Sequence, residues 1–182
     1  VPAKFVEMRD LPEKGSSIEN FIIRPFSSGM KFQQNDTLLA RITPCLENGK
    51  SAFVDLLEGD EIAHGSTEFI VMRAKPGVSP YYVYLLAREP DFREHAIKSM
   101  VGTSGRQRVQ NDALIQYKLN QVDSDAMLRF HRTVQSLFQQ IKSNVDQSRT
   151  LATLRDGLLP KLMKGEISVH SLPETLNLLA HA

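Results

Sequence analysis

An apolar seam in the last third of the chain constrains its fold more than any other feature. Between residues 123 and 157 there is no internal glycine or proline, and apolar residues recur every three to four positions. That spacing predicts one long amphipathic helix of roughly 33 residues, about 50 Å in length. The seam consists of Phe130, Val134, Leu137, Ile141, Leu151 and Leu158. A long helix of this kind is typical of chains that pair with another helix.

The two ends of this helix carry their own signals. Asp123, Ser124 and Asp125 supply acceptors and negative charge where the helix would begin. Pro160 is expected to end or kink it, and Gly165 to cap a final turn. We therefore expect three parts, namely a globular domain in residues 1–122, a helix in residues 123–165 and a tail in residues 166–182. Within the seam, polar residues such as Asn144 and Ser148 weaken a coiled coil but fix its register and partner.

Length and composition limit the remaining possibilities. With 182 residues, 41% of them hydrophobic, the chain can bury one substantial core. Its formal net charge of +1 neither requires nor excludes a nucleic-acid partner. The only cysteine, Cys45, excludes an intramolecular disulfide and favours a reducing compartment. No run of about 20 apolar residues and no signal peptide is present, so we expect a cytoplasmic protein that does not enter a membrane.

The middle of the chain has the pattern of a small sheet. Residues 38–42, 51–57 and 68–72 are short apolar runs rich in branched side chains, and turn residues separate them. We expect them to form one antiparallel sheet. Asn48 and Gly49 predict a tight hairpin between the first two strands, because both turn positions of such a hairpin need a positive φ.

The flanking segments complete the predicted fold. Residues 1–34, interrupted by prolines and glycine, predict loops and short strands. Ser79 followed by a proline predicts a helix that runs to residue 88, and a second helix is expected at residues 91–100. Residues 117–122 predict a returning strand. The expected class is α+β, with a small mixed or antiparallel sheet domain followed by a long coiled-coil-forming helix.

No pattern in the chain predicts catalysis. The sequence around Gly49 and Lys50 resembles the end of a phosphate-binding loop, but Pro44 stands where that motif requires glycine. The five histidines show no spacing that would bring two of them to one metal. No serine lies in a Gly-x-Ser-x-Gly motif. We expect neither a catalytic site nor a metal site in this chain, and therefore not an enzyme.

One loop, residues 102–108, carries the strongest binding signal. Arg106, Gln107 and Arg108 follow Gly105, so donors capable of paired hydrogen bonds stand on a backbone that a phosphate or base edge could approach closely. An ordinary solvated turn explains the same residues equally well. Arg41 and Lys50 flank the predicted hairpin and could join this loop on one face.

Four stretches together resemble the specificity subunit of type I restriction-modification enzymes, and specifically one half of it. The resemblance depends on their order and spacing across residues 36–168, because any single stretch would be too weak a signal. The stretches are residues 36–50, 65–71, 102–109 and 148–166.

The resemblance implies a target recognition domain followed by a long spacer helix. In that family two such halves occur, their helices pack antiparallel, and each recognition domain reads one part of a split site in double-stranded DNA. The helices also dock the methyltransferase subunits, which bring S-adenosylmethionine, and through them the restriction subunits. No cofactor is therefore expected in this chain itself.

The chain departs from the family pattern in two ways. It has one recognition domain and one helix, and the start of the domain is shortened or absent. We therefore expect a natural half-subunit or a part of a longer protein. Two copies that pair through the helix would present identical domains and read an inverted repeat. The alternatives are the DNA-recognition segment of a fused restriction-methyltransferase enzyme and a non-catalytic coiled-coil adaptor.

Residue roles follow from the resemblance and the loop chemistry together. The expected DNA contacts are Arg106, Gln107 and Arg108, with Ser104 and Thr103 as lesser donors and Arg41 and Lys50 as secondary candidates. The residues expected to serve helix pairing or subunit docking are Val134, Leu137, Ile141, Asn144, Leu151, Leu158, Leu159 and Leu162.

Overall fold

The computed structural model describes residues 2–18 and 20–167 of the chain. Its strands are β1 (Pro2–Val6), β2 (Ile22–Pro25), β3 (Met30–Gln33), β4 (Thr37–Ala40), β5 (Ser51–Phe53), β6 (Ile62–Gly65) and β7 (Phe69–Met72), and its helices are α1 (Pro80–Arg88), α2 (Pro90–Lys98), α3 (Asn111–Ile115) and α4 (Ser124–Met163). This arrangement confirms the predicted α+β class. The chain divides into two compact units, residues 1–139 and 140–182, and the boundary falls within α4. The expected tail lies outside the described residues from residue 168 onward.

The three apolar runs in the middle of the chain form one sheet. Its order is β5-β4-β7, and both pairings are antiparallel. The central strand places Leu38 opposite Ala52 on one side and opposite Val71 on the other. All residues of β4 and β5 are buried, because the core covers both faces of this sheet. The predicted antiparallel sheet is therefore confirmed.

The connection between β4 and β5 is not the predicted tight hairpin. It is a series of turns. The amide of Leu46 donates to the Ile42 carbonyl at 3.0 Å, and the amide of Asn48 donates to the Pro44 carbonyl at 2.9 Å. Gly49 has a φ of 86°, but Asn48 is not in the left-handed region. The segment is held from α2, since Arg93 donates to the carbonyl of Leu46 at 2.9 Å. A long-range contact therefore overrides the local Asn-Gly preference.

A second sheet, which the sequence indicated only as short strands, forms the start of the domain. Its order is β2-β1-β6-β3, with β1 parallel to β6 and the other pairings antiparallel. Its inner face contributes Val6, Phe32 and Ala63 to a core shared with Leu38 and Phe69 of the three-stranded sheet. Burial of this shared apolar surface is what holds the two sheets together.

Helices α1 and α2 follow their predicted positions closely. Ser79 precedes α1 as expected, but its hydroxyl lies 3.0 Å from His131 Nδ1 instead of capping the helix. The strand predicted at residues 117–122 is wrong, because that segment has no strand pairing. Tyr117 packs edge-to-face against Phe92 with ring centroids 5.1 Å apart, whereas Leu119 remains exposed. The segment therefore has no buried face that would favour sheet pairing.

Helix α4 begins where the sequence predicted and continues beyond the predicted break. The Asp123 carboxylate accepts hydrogen bonds from the amides of Asp125 and Ala126, both at 3.1 Å. Pro160 does not end the helix, which runs to Met163 and is 40 residues long, or about 60 Å.

The last turn of α4 has the geometry of a glycine cap. Gly165 has a φ of 72°. Its amide donates to the Leu162 carbonyl at 3.1 Å, and the Glu166 amide donates to the Lys161 carbonyl at 2.9 Å. This pair of bonds satisfies carbonyls that the helix end leaves open. The predicted cap at Gly165 is confirmed.

The first turns of α4 belong to the domain. Phe138 lies against a cluster formed by Phe53, Tyr81 and Tyr84, with its ring centroid 4.7 Å from that of Tyr81. Phe130 and Val134 pack against the same cluster. This packing explains why the compact unit extends to residue 139, well past the start of the helix.

Candidate nucleic-acid interface

The loop at residues 102–107 projects from a closed base. Val101 and Arg108 exchange two backbone hydrogen bonds, of 3.0 and 2.9 Å. Gly102 has a φ of 135°, and a Cβ there would lie 2.8 Å from the Arg106 carbonyl oxygen. Glycine is therefore required for the chain to turn this tightly. Residues 102–106 are exposed beyond that base.

The base is joined to the end of β4. The amide of Thr43 donates to the Gln107 carbonyl at 3.1 Å, and the amide of Val109 donates to the Arg41 carbonyl at 2.9 Å. The side chain of Val109 is fully buried in the core around α2. The second arm of the loop, residues 107–109, is thus anchored to the end of β4, and the first arm is held to it through the pairing of Val101 with Arg108.

Arg108 forms the main ionic contact of the anchor. Its Nη2 lies 2.7 Å from Glu68 Oε1, and its Nε lies 2.9 Å from Oε2. The hydrogen bond from Arg108 lowers the pKa of the Glu68 carboxyl against the opposing effect of burial, and the charge of Arg41 adds to the lowering. Glu68 therefore stays ionised at neutral pH. The sequence gives no local signal for this pair, because its partners are 40 positions apart.

The two secondary candidates are engaged within the domain. Arg41 donates from Nε and Nη2 to the Val109 carbonyl, at 3.1 and 2.6 Å, so it closes the loop base. Lys50 donates to the Met8 carbonyl at 3.0 Å, away from the loop. The expectation that both would join the loop on one face is therefore met by Arg41 alone, in a role that anchors the loop.

The predicted loop donors differ in how free they are. No hydrogen bond or ion pair of the described residues engages the Arg106 guanidinium, and the side chains of Thr103 and Ser104 are exposed beside it. Gln107 is half-buried, with its carbonyl held by Thr43. Arg108 is committed to Glu68. The geometry thus brings one unengaged arginine and two hydroxyls to the tip of an anchored loop.

The predicted pairing residues divide between two environments. Val134 packs on the aromatic cluster of the domain, so packing within the chain explains its burial. Asn144 is exposed and accepts a hydrogen bond from Gln140 at 2.9 Å. Leu162 is partly buried. The other predicted residues are exposed on α4 and are called the exposed seam below; they are Leu137, Ile141, Leu151, Leu158 and Leu159. None of the helices among the described residues is both long and apolar enough to cross a membrane.

No family model matches the chain. Over 110 residues, or 58% of the chain, it is 30% identical to the specificity subunit of the type I restriction enzyme EcoAI of Escherichia coli, of which the match covers 18%. Over 44 residues, or 24% of the chain, it is 48% identical to the specificity subunit of the type I restriction enzyme MjaIX of Methanocaldococcus jannaschii, of which the match covers 10%.

The fold has counterparts among solved structures. The chain superimposes on the HsdS subunit from Thermoanaerobacter tengcongensis with a TM-score of 0.56 and 20% identity, covering 95% of this chain and 44% of that one. A chain from a structure of a type I restriction-modification system matches with the same score over 45% of its length. The chain therefore spans less than half of these relatives. The sequence matches and the fold comparisons both support similarity to one part of an HsdS-type specificity subunit of type I restriction enzymes.

Proposed function

We propose that the chain is a sequence-specific DNA-recognition unit of a type I restriction-modification complex and reads one half of a split site. The observation that carries this proposal is the exposed Arg106 on an anchored loop, in a domain related to specificity subunits. The double contact between Arg108 and Glu68 and the clamp from Arg41 to Val109 support the loop base.

A rigidly held loop favours specific contacts to the edges of DNA bases over nonspecific attraction to the phosphates. A guanidinium presents paired donors that match the O6 and N7 acceptors of guanine in the major groove. Anchoring lowers the conformational entropy lost when such a contact forms. Arg106 would supply this contact, and the Ser104 and Thr103 hydroxyls would bond to nearby phosphates or bases. Gln107 and Arg108 contribute by holding the loop, and Arg108 also lies at the edge of the same surface.

The exposed seam of α4 supports a role in assembly. Leu151 and Leu158 are one heptad apart, and both are exposed. Exposed apolar residues at this spacing favour burial against a second helix. We propose that two copies pair antiparallel through this seam, and that the paired helices dock methyltransferase subunits that bind S-adenosylmethionine. Restriction subunits would join through the methyltransferase. The resulting pair would read an inverted repeat with a fixed spacer.

The test is selection of bound duplexes from a random double-stranded DNA pool. The full chain would be mixed with a type I methyltransferase subunit and S-adenosylmethionine, with a parallel sample that lacks the chain. We expect a two-part motif with a fixed spacer only when the chain is present, and a palindromic arrangement if two copies assemble. Recovery of no motif would contradict the proposal and favour the coiled-coil adaptor.

A further inference from the structure

A second surface of the domain has features of an anion site. It is a pocket at the ends of the parallel strands β1 and β6, lined by Phe5, Arg24, Ser28, Ser66, Thr67 and Glu7. Two glycines, Gly29 and Gly65, also line it. A Cβ on Gly29 would lie 1.9 Å from the Gly65 carbonyl oxygen, so the two segments can approach this closely only without side chains.

Arg24 supplies the positive charge of this pocket. Its guanidinium carbon lies 3.3 Å from the ring centroid of Phe5, which fixes the group over the aromatic face. Its Nε is buried and has no hydrogen-bond partner among the described residues. The other charged group of the pocket, Glu7, is paired with Arg9, so its carboxylate is compensated.

The strand register places a second cation on the same face. Arg24 lies opposite Ala3 in the neighbouring strand, so their side chains are on the same face of the sheet. Phe5 is two residues after Ala3 and therefore shares that face. Phe5 in turn lies opposite His64. His64 in turn pairs with Lys31. Arg24 and Lys31 therefore flank the Phe5–His64 ring pair on the outer face of the four-stranded sheet. Two cations therefore lie on this face, whereas the opposite face contributes Val6, Phe32 and Ala63 to the core.

The pocket adjoins the loop through one short turn. Thr67 is exposed and lines the pocket, and the next residue, Glu68, holds Arg108 at the loop base. The Ser66 hydroxyl oxygen accepts a hydrogen bond from the Glu68 amide at 3.1 Å, which fixes this turn. The Arg24 pocket and the loop thus lie on either side of residues 66–68.

We infer that the Arg24 pocket binds a backbone phosphate of the DNA that the 102–107 loop reads. The inference rests on the proposed function. The Arg24 guanidinium and the hydroxyls of Ser28, Ser66 and Thr67 are all donors, as a phosphate requires. A contact of this kind fixes the register of the domain on the duplex and carries no base preference of its own.

The test compares salt dependence in the full chain mixed with the same methyltransferase subunit and S-adenosylmethionine that are used for the selection. We would measure the affinity of the wild type, Arg24→Gln and Arg24→Lys for a selected duplex and a scrambled duplex between 0.1 and 1 M salt. Loss of one phosphate contact should reduce the slope of log K against log salt by about 0.9, equivalent to about eightfold over that tenfold salt range. Arg24→Gln should lose affinity equally for both duplexes, and Arg24→Lys should keep the wild-type slope.

Two controls separate folding and function from the inference. Arg129→Gln removes an exposed arginine on α4 and should leave the slope unchanged if Arg24 acts through its position. If Arg24→Gln lowers the thermal midpoint, Thr67→Val, which removes only an exposed hydroxyl, should still weaken both duplexes equally. An unchanged slope in Arg24→Gln, or a changed base preference, would overturn the phosphate assignment. Absence of wild-type binding to any duplex would instead contradict the proposed function, and the assignment with it.

Discussion

Arg108 donates hydrogen bonds to both carboxylate oxygens of Glu68, with Nη2 2.7 Å from Oε1 and Nε 2.9 Å from Oε2. The pair joins the base of the 102–107 loop to the residue just before β7. Because the partners are far apart in sequence, the contact fixes the loop relative to the sheet and not only relative to itself. The exposed Arg106 is therefore presented from a defined position.

The Glu68 pair predicts a pH dependence of the loop. Arg108 lowers the pKa of Glu68 in the folded chain. The contribution of the pair to stability is therefore complete above the ordinary glutamate pKa of about 4.3 and is lost as the pH falls through the lowered value. The protection of the amides of residues 101–108, taken relative to the intrinsic exchange rate at each pH, should fall over that acidic range. In Glu68→Gln the protection should already be lower at neutral pH and should not fall further over this acidic range. If the Glu68→Gln variant still lost protection over the same acidic range, a group other than Glu68 would be responsible.

Arg106→Ala tests direct base reading. We expect a loss of about 1 to 3 kcal/mol of binding free energy on a selected duplex, with little loss on a duplex changed at the contacted base pair. The measurement is a titration of both duplexes at one salt concentration. Ser104→Ala is the matched loop control and should cost less. Equal losses on both duplexes would assign Arg106 to a phosphate.

Lys50→Ala should leave DNA binding unchanged. Its ammonium donates to the Met8 carbonyl, so we expect a stability loss of about 1 kcal/mol from the lost hydrogen bond. Thermal unfolding and DNA titration of the same preparation would measure the two effects separately. A drop in DNA affinity without a change in stability would show that Lys50 does contact DNA.

Leu151→Asp combined with Leu158→Asp should prevent helix pairing. Two charges on the exposed seam cannot be buried against a second helix without a large desolvation cost. Light scattering of the wild type at tens of micromolar should show a dimer, and the variant should be monomeric. Ser143→Asp with Gln147→Asp, at exposed polar positions of α4, is the matched control. A monomeric wild type would count against pairing through this seam.

Phe138→Ala should destabilise the domain without acting on pairing. The Phe138 ring contacts the rings of Phe53, Tyr81 and Tyr84. Because the side chain is only partly buried, we expect a loss of about 2 to 3 kcal/mol, below the range for a fully buried phenylalanine. Chemical denaturation would measure it. No loss of stability would mean that the start of α4 is not part of the domain core.

Local patterns predicted the elements whose stability depends on neighbouring residues. The branched runs at residues 38–42 and 68–72 became paired strands, Asp123 caps α4, and Gly165 ends it. Each of these features depends on side chains within a few positions, so the sequence carries a direct signal.

Contacts between distant residues could not be predicted in this way. The parallel pairing of β1 with β6 joins segments more than fifty positions apart. Arg93 on α2 fixes the coil around Leu46, where local rules favour a hairpin. The ion pair between Glu68 and Arg108, which anchors the loop, likewise joins residues 40 positions apart. The candidate donor Arg106 was therefore predicted, but the contacts that position it were not.

Parallel selections with the wild type and Arg106→Ala would show whether the 102–107 loop reads DNA bases. Each protein would be mixed with the same methyltransferase subunit, S-adenosylmethionine and random duplex pool. We expect a two-part motif from the wild type, and the same motif from the variant with degeneracy confined to the base pair that Arg106 contacts. Identical motifs from the two proteins, or no motif from the wild type, would contradict recognition through this loop.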